Sequence, residues 1–176
     1  MVIFIVVLVI LIGFIAYIIK LNHDLLVNKD NILRSMAALD AVIIKKNNSI
    51  LELLGFAKEV MLKETNLISE LFNLRHDINK IKPKIVNAPL RYQKQAEFDK
   101  KIQTFLSICP RYPELNKNAS FQKNLVEFQN LETSFKEKVE YYNLCVDKLY
   151  MSIHSFPSSI LAEMSHTKEP PPKYGI

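Results

Sequence analysis

The 176-residue sequence contains no Trp, two Cys and only three Gly, and each scarcity excludes a class of protein. Two Cys cannot form the disulfide framework of a small secreted domain. The Gly residues are too few and too scattered for a phosphate-binding loop, a dinucleotide fingerprint or a Gly-x-Ser-x-Gly nucleophile elbow. With only eight Pro, the chain is not of a low-complexity or collagen-like type either. We therefore do not expect an enzyme.

What the sequence does contain is one long uncharged segment, residues 2–19, in which Gly13 is the only residue outside the apolar set. At about 1.5 Å per residue it would span roughly 27 Å as a helix, close to the hydrocarbon thickness of a bilayer. A cleaved signal peptide is the alternative, but the flanking residues 20–23 provide no small-residue cleavage site. We predict a retained transmembrane anchor at 1–20, with membrane contacts at Val2, Phe4, Leu8, Leu11, Phe14, Ile19 and Lys20.

Positive charge follows the apolar segment at Lys20, Lys29 and Arg34, and only the terminal amine precedes it. The positive-inside rule therefore predicts a single-pass protein of the cell (inner) membrane with its body in the cytoplasm. The formal net charge of +5 lies within residues 20–104, which fits either attraction to anionic lipid headgroups or an ordinary solvated surface. No nucleic-acid partner is expected, because the Lys residues are dispersed and no known motif accompanies them.

Pro residues divide the rest of the chain into long uninterrupted segments. None occurs between the apolar segment and Pro83, or between Pro113 and Pro157, so these stretches can form long helices. Apolar residues recur at spacings of three and four, as in coiled coils, over residues 50–78, 98–109 and 121–156. No segment alternates with the period of two that is typical of strands. The sequence therefore predicts an all-α protein.

The predicted fold is a transmembrane helix followed by an antiparallel four-helix up-and-down bundle at residues 21–164. Its long helices are expected at about 24–46, 48–81, 91–109 and 115–156. Asn47-Asn48 would form a tight turn or only a kink, and the segment Asn116-Lys117-Asn118 offers a helix N-cap. The remaining residues, 165–176, form a Pro-rich tail that is expected to trail away in an extended conformation.

Within that tail, Pro171-Pro172-Lys173-Tyr174 fits the Pro-Pro-x-Tyr pattern of peptides that bind aromatic grooves. Four residues match such a pattern often by chance. A true ligand motif and a chance match therefore both stay open.

Two carboxylates, Glu132 and Glu64, each interrupt an apolar stripe and are the candidate buried polar residues. Burying an unpaired carboxylate costs several kcal/mol, so each should be paired, hydrogen-bonded or protonated. The alternatives are a structural role in fixing helix register, a position at the edge of the core, or half of a di-metal site. Bundle di-metal sites normally use Glu-x-x-His on two helices, and the sequence contains no pair of such motifs. We predict neither a metal nor a cofactor.

A pattern of residues between positions 112 and 162 is recognisable without gaps, and its members include Tyr112, Pro113, Leu115, Asn118, Phe121, Glu132, Tyr142, Asn143, Phe156 and Pro157. Together with Leu39-Asp40 and the basic pair Lys45-Lys46, this pattern resembles the LemA family. The sequence departs from the family at Met36, where Trp is usual, and at Leu51, where Pro is usual. The resemblance implies a divergent member, a membrane-held four-helix bundle and no agreed enzymatic activity, in a family with some members linked to organising membrane compartments.

These observations favour a non-enzymatic protein that acts from the lipid bilayer through protein contacts. It would work either as a homo-oligomeric scaffold that organises the membrane or as a tethered adaptor for an unidentified protein partner. A ligand- or signal-sensing bundle is a further alternative, for which Glu132 and Glu64 are the inward-facing candidates.

Overall fold

The structure is a computed structural model that describes residues 1–165 and 169–175. Among these residues the regular secondary structure is entirely helical, without a β-strand, and six α-helices follow one another. They are α1 (Val2–Val60), α2 (Thr65–Lys80), α3 (Ala88–Ile108), α4 (Pro113–Lys117), α5 (Ala119–His154) and α6 (Ser158–Met164). Short 3-10 turns at Leu62–Glu64, Ile85–Asn87 and Cys109–Arg111 connect several of them.

The predicted boundary between a helix ending near residue 46 and one beginning near residue 48 is wrong, because α1 continues without interruption to Val60. Asn47 does not cap or break the helix. Its side-chain amide exchanges hydrogen bonds with that of Gln95 on α3, at 2.9 and 3.1 Å, and so has no need of the nearby backbone. The predicted second helix, 48–81, is instead divided by the turn at Leu62–Glu64, next to the fully buried Met61.

The apolar N-terminal part of α1 is long and apolar enough to cross a membrane, and none of it is buried by the rest of the protein. The helix passes from this segment straight into the folded body. One helix therefore carries both the candidate membrane span and a large part of the core, from Leu25 to Ala57.

In the body, α1 lies along α5. Near one end, Asn28 donates a hydrogen bond of 2.8 Å to Ser152, and near the other end the Phe56 ring packs edge-on against Phe121, with centroids 6.3 Å apart. α2 lies beside α3, where an ion pair of 2.5 Å joins Lys101 to Glu70.

The predicted last helix, 115–156, also begins later than expected. Asn118 separates α4 from α5, and its side-chain oxygen accepts a hydrogen bond of 2.9 Å from the Phe121 backbone N–H. This is the N-cap function that Asn favours, since it satisfies an amide that the helix leaves free. After α5 comes α6, which the apolar periodicity does not predict and which packs against α5 and α1.

Two apolar clusters make up the core. The proximal cluster, on the side of the apolar N-terminal segment of α1, includes Leu25, Ile32, Leu39, Ile43, Tyr142 and Leu149. The distal cluster includes Ile50, Leu54, Leu71, Phe98, Phe121 and Phe128. On α1 the change from one to the other falls between residues 43 and 50, and on α5 between residues 128 and 135. Polar side chains lie in this interval.

Candidate functional site

The interval between the two clusters holds a layer of charged side chains around Lys46, which is fully buried on α1. Its ammonium nitrogen lies 2.7 Å from a carboxylate oxygen of Asp99 on α3 and 3.0 Å from one of Glu132 on α5. The same nitrogen lies 3.9 Å from the ring centroid of Phe135, a cation–π distance. We call Lys46, Asp99 and Glu132 the charge layer, and it joins three helices.

The charge layer contains two carboxylates for one ammonium group. Their side chains keep 21% and 20% of their surface exposed, for Asp99 and Glu132 respectively, so water reaches them from one side. Burial raises the pKa of the Asp99 carboxyl above its ordinary value; the charge of Glu132 adds to the rise, while Lys46 and Gln95 oppose it. The pKa of Asp99 thus reflects a buried site with more negative than positive groups.

Amide groups extend this layer on α1 and α3. Besides its exchange with Asn47, the Gln95 amide nitrogen donates to the Asp99 carboxylate at 2.9 Å. Arg75 on α2 donates to the Asn47 carbonyl at 3.1 Å and to the Asn48 side-chain oxygen at 2.8 Å. Because these bonds have directional requirements, they fix the register of α1 against α2 and α3.

A second buried ion pair lies on the proximal side. Arg91, on α3, pairs with Asp40 on α1 and donates a hydrogen bond of 2.7 Å to the Ile81 carbonyl, which follows α2. Burial raises the pKa of the Asp40 carboxyl, and the neighbouring Arg91 opposes the rise. Through Arg91, the pair links the C-terminal end of α2 to α1 and α3.

The C-terminal tail is bound to the protein. The prediction that it trails away in an extended conformation is therefore wrong for the described residues. The Tyr142 hydroxyl donates to the Pro172 carbonyl at 2.8 Å, and Asn143 exchanges bonds of 2.9 and 3.1 Å with the Tyr174 backbone. Lys173 forms an ion pair of 2.7 Å with Asp147. Residues 169–175 have no regular secondary structure, whereas residues 166–168 and 176 of the predicted tail lie outside the described residues.

Tyr174 holds the tail in place, because its side chain is 4% exposed. Its ring centroid lies 4.7 Å from that of Tyr92 and 5.5 Å from that of Phe135. In this conformation the Pro-Pro-Lys-Tyr segment cannot enter an aromatic groove of another protein, because its Tyr is already enclosed.

A cavity of about 250 Å³ opens beside the charge layer, and its lining includes Asp99, Glu132, Phe135 and Tyr174. The Tyr174 hydroxyl has no hydrogen-bond partner among the described residues. Burial, with the nearby charges of Asp99 and Glu132, raises the pKa of Tyr174, so the phenol stays neutral. Chemically, the cavity offers carboxylate oxygens, aromatic walls and an unused hydroxyl.

The two carboxylates chosen from the sequence lie in different surroundings. Glu132 belongs to the charge layer, whereas Glu64 is half-buried in the Leu62–Glu64 turn, because the helix break takes it off the stripe. Among the described residues, no group of three or more His, Cys, Asp or Glu side chains could hold a metal ion. Both Cys are buried free thiols, and burial raises the pKa of Cys109 to about 11.

Sequence patterns do not predict the residues that surround Glu132. Asp99 follows Phe98 of an apolar stripe and resembles an ordinary surface carboxylate, and Gln95 carries no signal at all. In the sequence, Lys46 is distinguished only as part of a basic pair. Tyr174 is distinguished only by its match to a peptide motif.

Most of the residues that carry the family resemblance lie in the core or at helix ends. Leu39, Leu115, Phe121 and Tyr142 are buried in the core. Tyr112, Pro113 and Asn118 delimit the short helix α4. Phe156 differs from all of these, because it is exposed beside α6.

Comparison with protein-family models matches residues 35–173 to the LemA family. The matched range includes the charge layer, the Asp40–Arg91 pair and the tail as far as Lys173. A search of curated proteins found no match.

Proposed function

The chain belongs to the LemA family, whose model covers most of it, and from this premise we propose that it is a non-enzymatic membrane protein that works through protein contacts. Family membership and the apolar part of α1 are consistent with a membrane-associated protein. The absence of catalytic motifs from the sequence supports a non-enzymatic role. The charges after residue 20 support a body in the cytoplasm, at the inner membrane.

We take α1, α2, α3 and α5 to form an antiparallel up-and-down bundle. The contacts of Asn28 with Ser152 and of Phe56 with Phe121 support opposite directions for α1 and α5. In such a bundle the outer face of α1 is free to meet another protein.

That outer face of α1 is the observation that carries the proposal. Leu26, Leu33 and Ile44 are exposed and lie within a narrow angular range of the helix, because they are seven and eleven residues apart. Leu33 and Ile44 also line a groove of about 570 Å³, which Ile85 borders from the α2–α3 connection. The neighbouring Val86 is exposed as well. Contiguous exposed apolar surface is typical of an interaction site.

We propose that a second copy of the chain covers this face. Copies anchored in one membrane share an orientation, and α1 presents its face sideways, so lateral association needs no rearrangement. Confinement to a membrane also raises the effective concentration of one copy for another. Repeated association of this kind would give a homo-oligomeric scaffold.

The test is the molar mass of the full-length protein in mild detergent, measured by light scattering or native mass spectrometry. We expect a discrete oligomer for the wild type and a monomer for the Leu33→Glu/Ile44→Glu variant. Val126→Glu is the matched control, since Val126 is an exposed apolar residue on α5, and it should leave the oligomer intact. A monomeric wild type would refute the scaffold and leave a tethered adaptor for a different partner.

Ligand sensing is the second candidate function, and the cavity beside Asp99 and Glu132 favours it. A ligand there would interact with the carboxylates and change the balance of the charge layer. Glu132→Gln keeps the shape of the side chain and removes the charge. If this variant has the same pH dependence of stability and the same cellular function as the wild type, Glu132 has no part in sensing.

A further inference from the structure

The short helix α6 has its polarity reversed relative to a helix on a water-soluble surface. Its Ser158 and Ala162 are buried against the body, whereas the apolar Ile160 and Met164 are 52% and 74% exposed. Phe156, two residues before the helix, is 84% exposed. Apart from Glu163, the outward side of this segment is therefore apolar.

This apolar side is continuous with the membrane segment of α1. Phe156, Ile160 and Met164 line a cleft of about 720 Å³ whose other wall is Phe14 and Tyr17. The two walls thus face a common space, and α6 contacts α1 directly.

The position of the cleft along α1 fixes its depth. Phe14 lies six residues before Lys20, the first charged residue, which corresponds to about 9 Å along the helix axis. If residues 2–19 cross the bilayer, the Tyr17–Phe14 wall of the cleft lies about 5 to 9 Å inside the hydrocarbon boundary, which is the depth that interfacial helices reach. There, exposed Phe, Ile and Met side chains gain a favourable environment, and Tyr17 occupies the level that Tyr prefers.

We propose that Phe156 and the outward face of α6 insert into the bilayer interface, with lipid acyl chains filling the cleft beside α1. This inference rests on the membrane anchor of the proposed function and adds a second lipid contact, far along the chain from the first. Glu163 is exposed and remains available to the headgroup region and water. The protein is then attached to the membrane by a spanning helix and an interfacial helix together.

The absence of Trp from the sequence makes the test direct, because a single introduced Trp is the only indole fluorophore. Phe156→Trp places it at an exposed site where a larger ring is accommodated. The full chain is reconstituted in phosphatidylcholine–phosphatidylglycerol vesicles whose acyl chains carry bromine either near the headgroup or near the methyl end. We expect blue-shifted emission and a large loss of fluorescence that is greater with bromine near the headgroup.

Two further single-Trp variants make the outcome decisive. Leu8→Trp reports the anchor and should be quenched most by bromine near the methyl end, whereas Val126→Trp, on α5, should not be quenched. Quenching of Leu8→Trp without quenching of Phe156→Trp would overturn the inference and retain the anchor. Lack of quenching in both would overturn the anchor as well. A blue-shifted but unquenched Phe156→Trp would show that protein, such as a second copy, covers α6, and would also overturn the inference.

Discussion

Removing the ammonium group of Lys46 should destabilise the protein more than any single change to its two partners. The Lys46→Met variant keeps most of the side-chain volume but leaves Asp99 and Glu132 facing each other without a cation. Loss of one partner from a buried ionic group typically costs about 3–5 kcal/mol, since the remaining charge stays desolvated. Because each carboxylate is about one-fifth exposed, we expect the lower end of that range, about 3 kcal/mol.

Thermal unfolding of the full chain in mild detergent, followed by circular dichroism, measures this loss. For a chain of this size, 1 kcal/mol corresponds to a change in Tm of about 2–4 °C, so Lys46→Met should lower Tm by about 6–12 °C. Lys45→Met is the matched control, because it makes the same substitution at the neighbouring, exposed position. It should change the stability by no more than about 0.5 kcal/mol.

The dependence on pH has a defined sign. Because burial raises the pKa of Asp99, the folded state holds this proton more strongly than the unfolded state does. The contribution of Asp99 to stability therefore falls as the pH rises from the ordinary Asp value of about 3.9 through the raised value. Without Lys46 the rise in pKa is larger, so the deficit of Lys46→Met should be greater at pH 7 than at pH 4.

Replacing all three residues of the charge layer by apolar residues provides a second test of the same reasoning. Replacement of a complete buried ionic group by apolar residues of similar volume is often neutral or stabilising. Adding Asp99→Leu and Glu132→Leu to Lys46→Met should therefore restore much of the lost stability. If Lys46→Met unfolds at the same temperature as Lys45→Met, or if its deficit is the same at pH 4 and pH 7, the charge layer does not have the energetic role described.

Three other predictions follow from the tail, the buried thiol and the topology. Tyr174→Ala should cost about 3 kcal/mol of unfolding free energy through lost aromatic packing, whereas Tyr174→Phe should be nearly neutral because the hydroxyl has no partner among the described residues. Denaturant unfolding compares both, with Tyr150→Ala, at an exposed site, as control. Iodoacetamide at pH 8 should label Cys109 only after denaturation, because burial of the thiol raises its pKa to about 11. Added protease should leave residues 20–176 intact in intact cells, and their digestion would reverse the proposed orientation.

The sequence allowed the helical class and a helix N-cap within Asn116-Lys117-Asn118 to be predicted, because both depend on local chemistry and periodicity. The break at Leu62–Glu64 could not be predicted in the same way. Met61 and Ile68 on either side of it are both buried, so the apolar stripe continues across the turn as though the helix were unbroken. Periodicity reports which residues face the core, and it does not report whether the chain has changed direction.

The candidate site depended still more on contacts between distant parts of the chain. Glu132 was recognised as unusual, since a carboxylate in an apolar stripe needs a partner, but the identity of that partner was not encoded nearby. Lys46 lies on another helix, and Lys is so commonly exposed that its burial has no sequence signature. Likewise, the Pro residues of the tail argue against a helix, and residues 169–175 have no regular secondary structure. The slot that encloses Tyr174 exists only after α3 and α5 have packed.

The unbroken α1 has a mechanical consequence. Beyond the apolar segment, residues 20–60 extend about 60 Å, so a change of 10° in the tilt of the helix would displace its far end by about 10 Å. Bilayers that differ in thickness impose different tilts on a helix of fixed apolar length. Since α1 supplies core residues to both apolar clusters, the body would swing with it as a rigid lever. The thickness of the surrounding lipid could in this way set the angle at which the protein meets its neighbours.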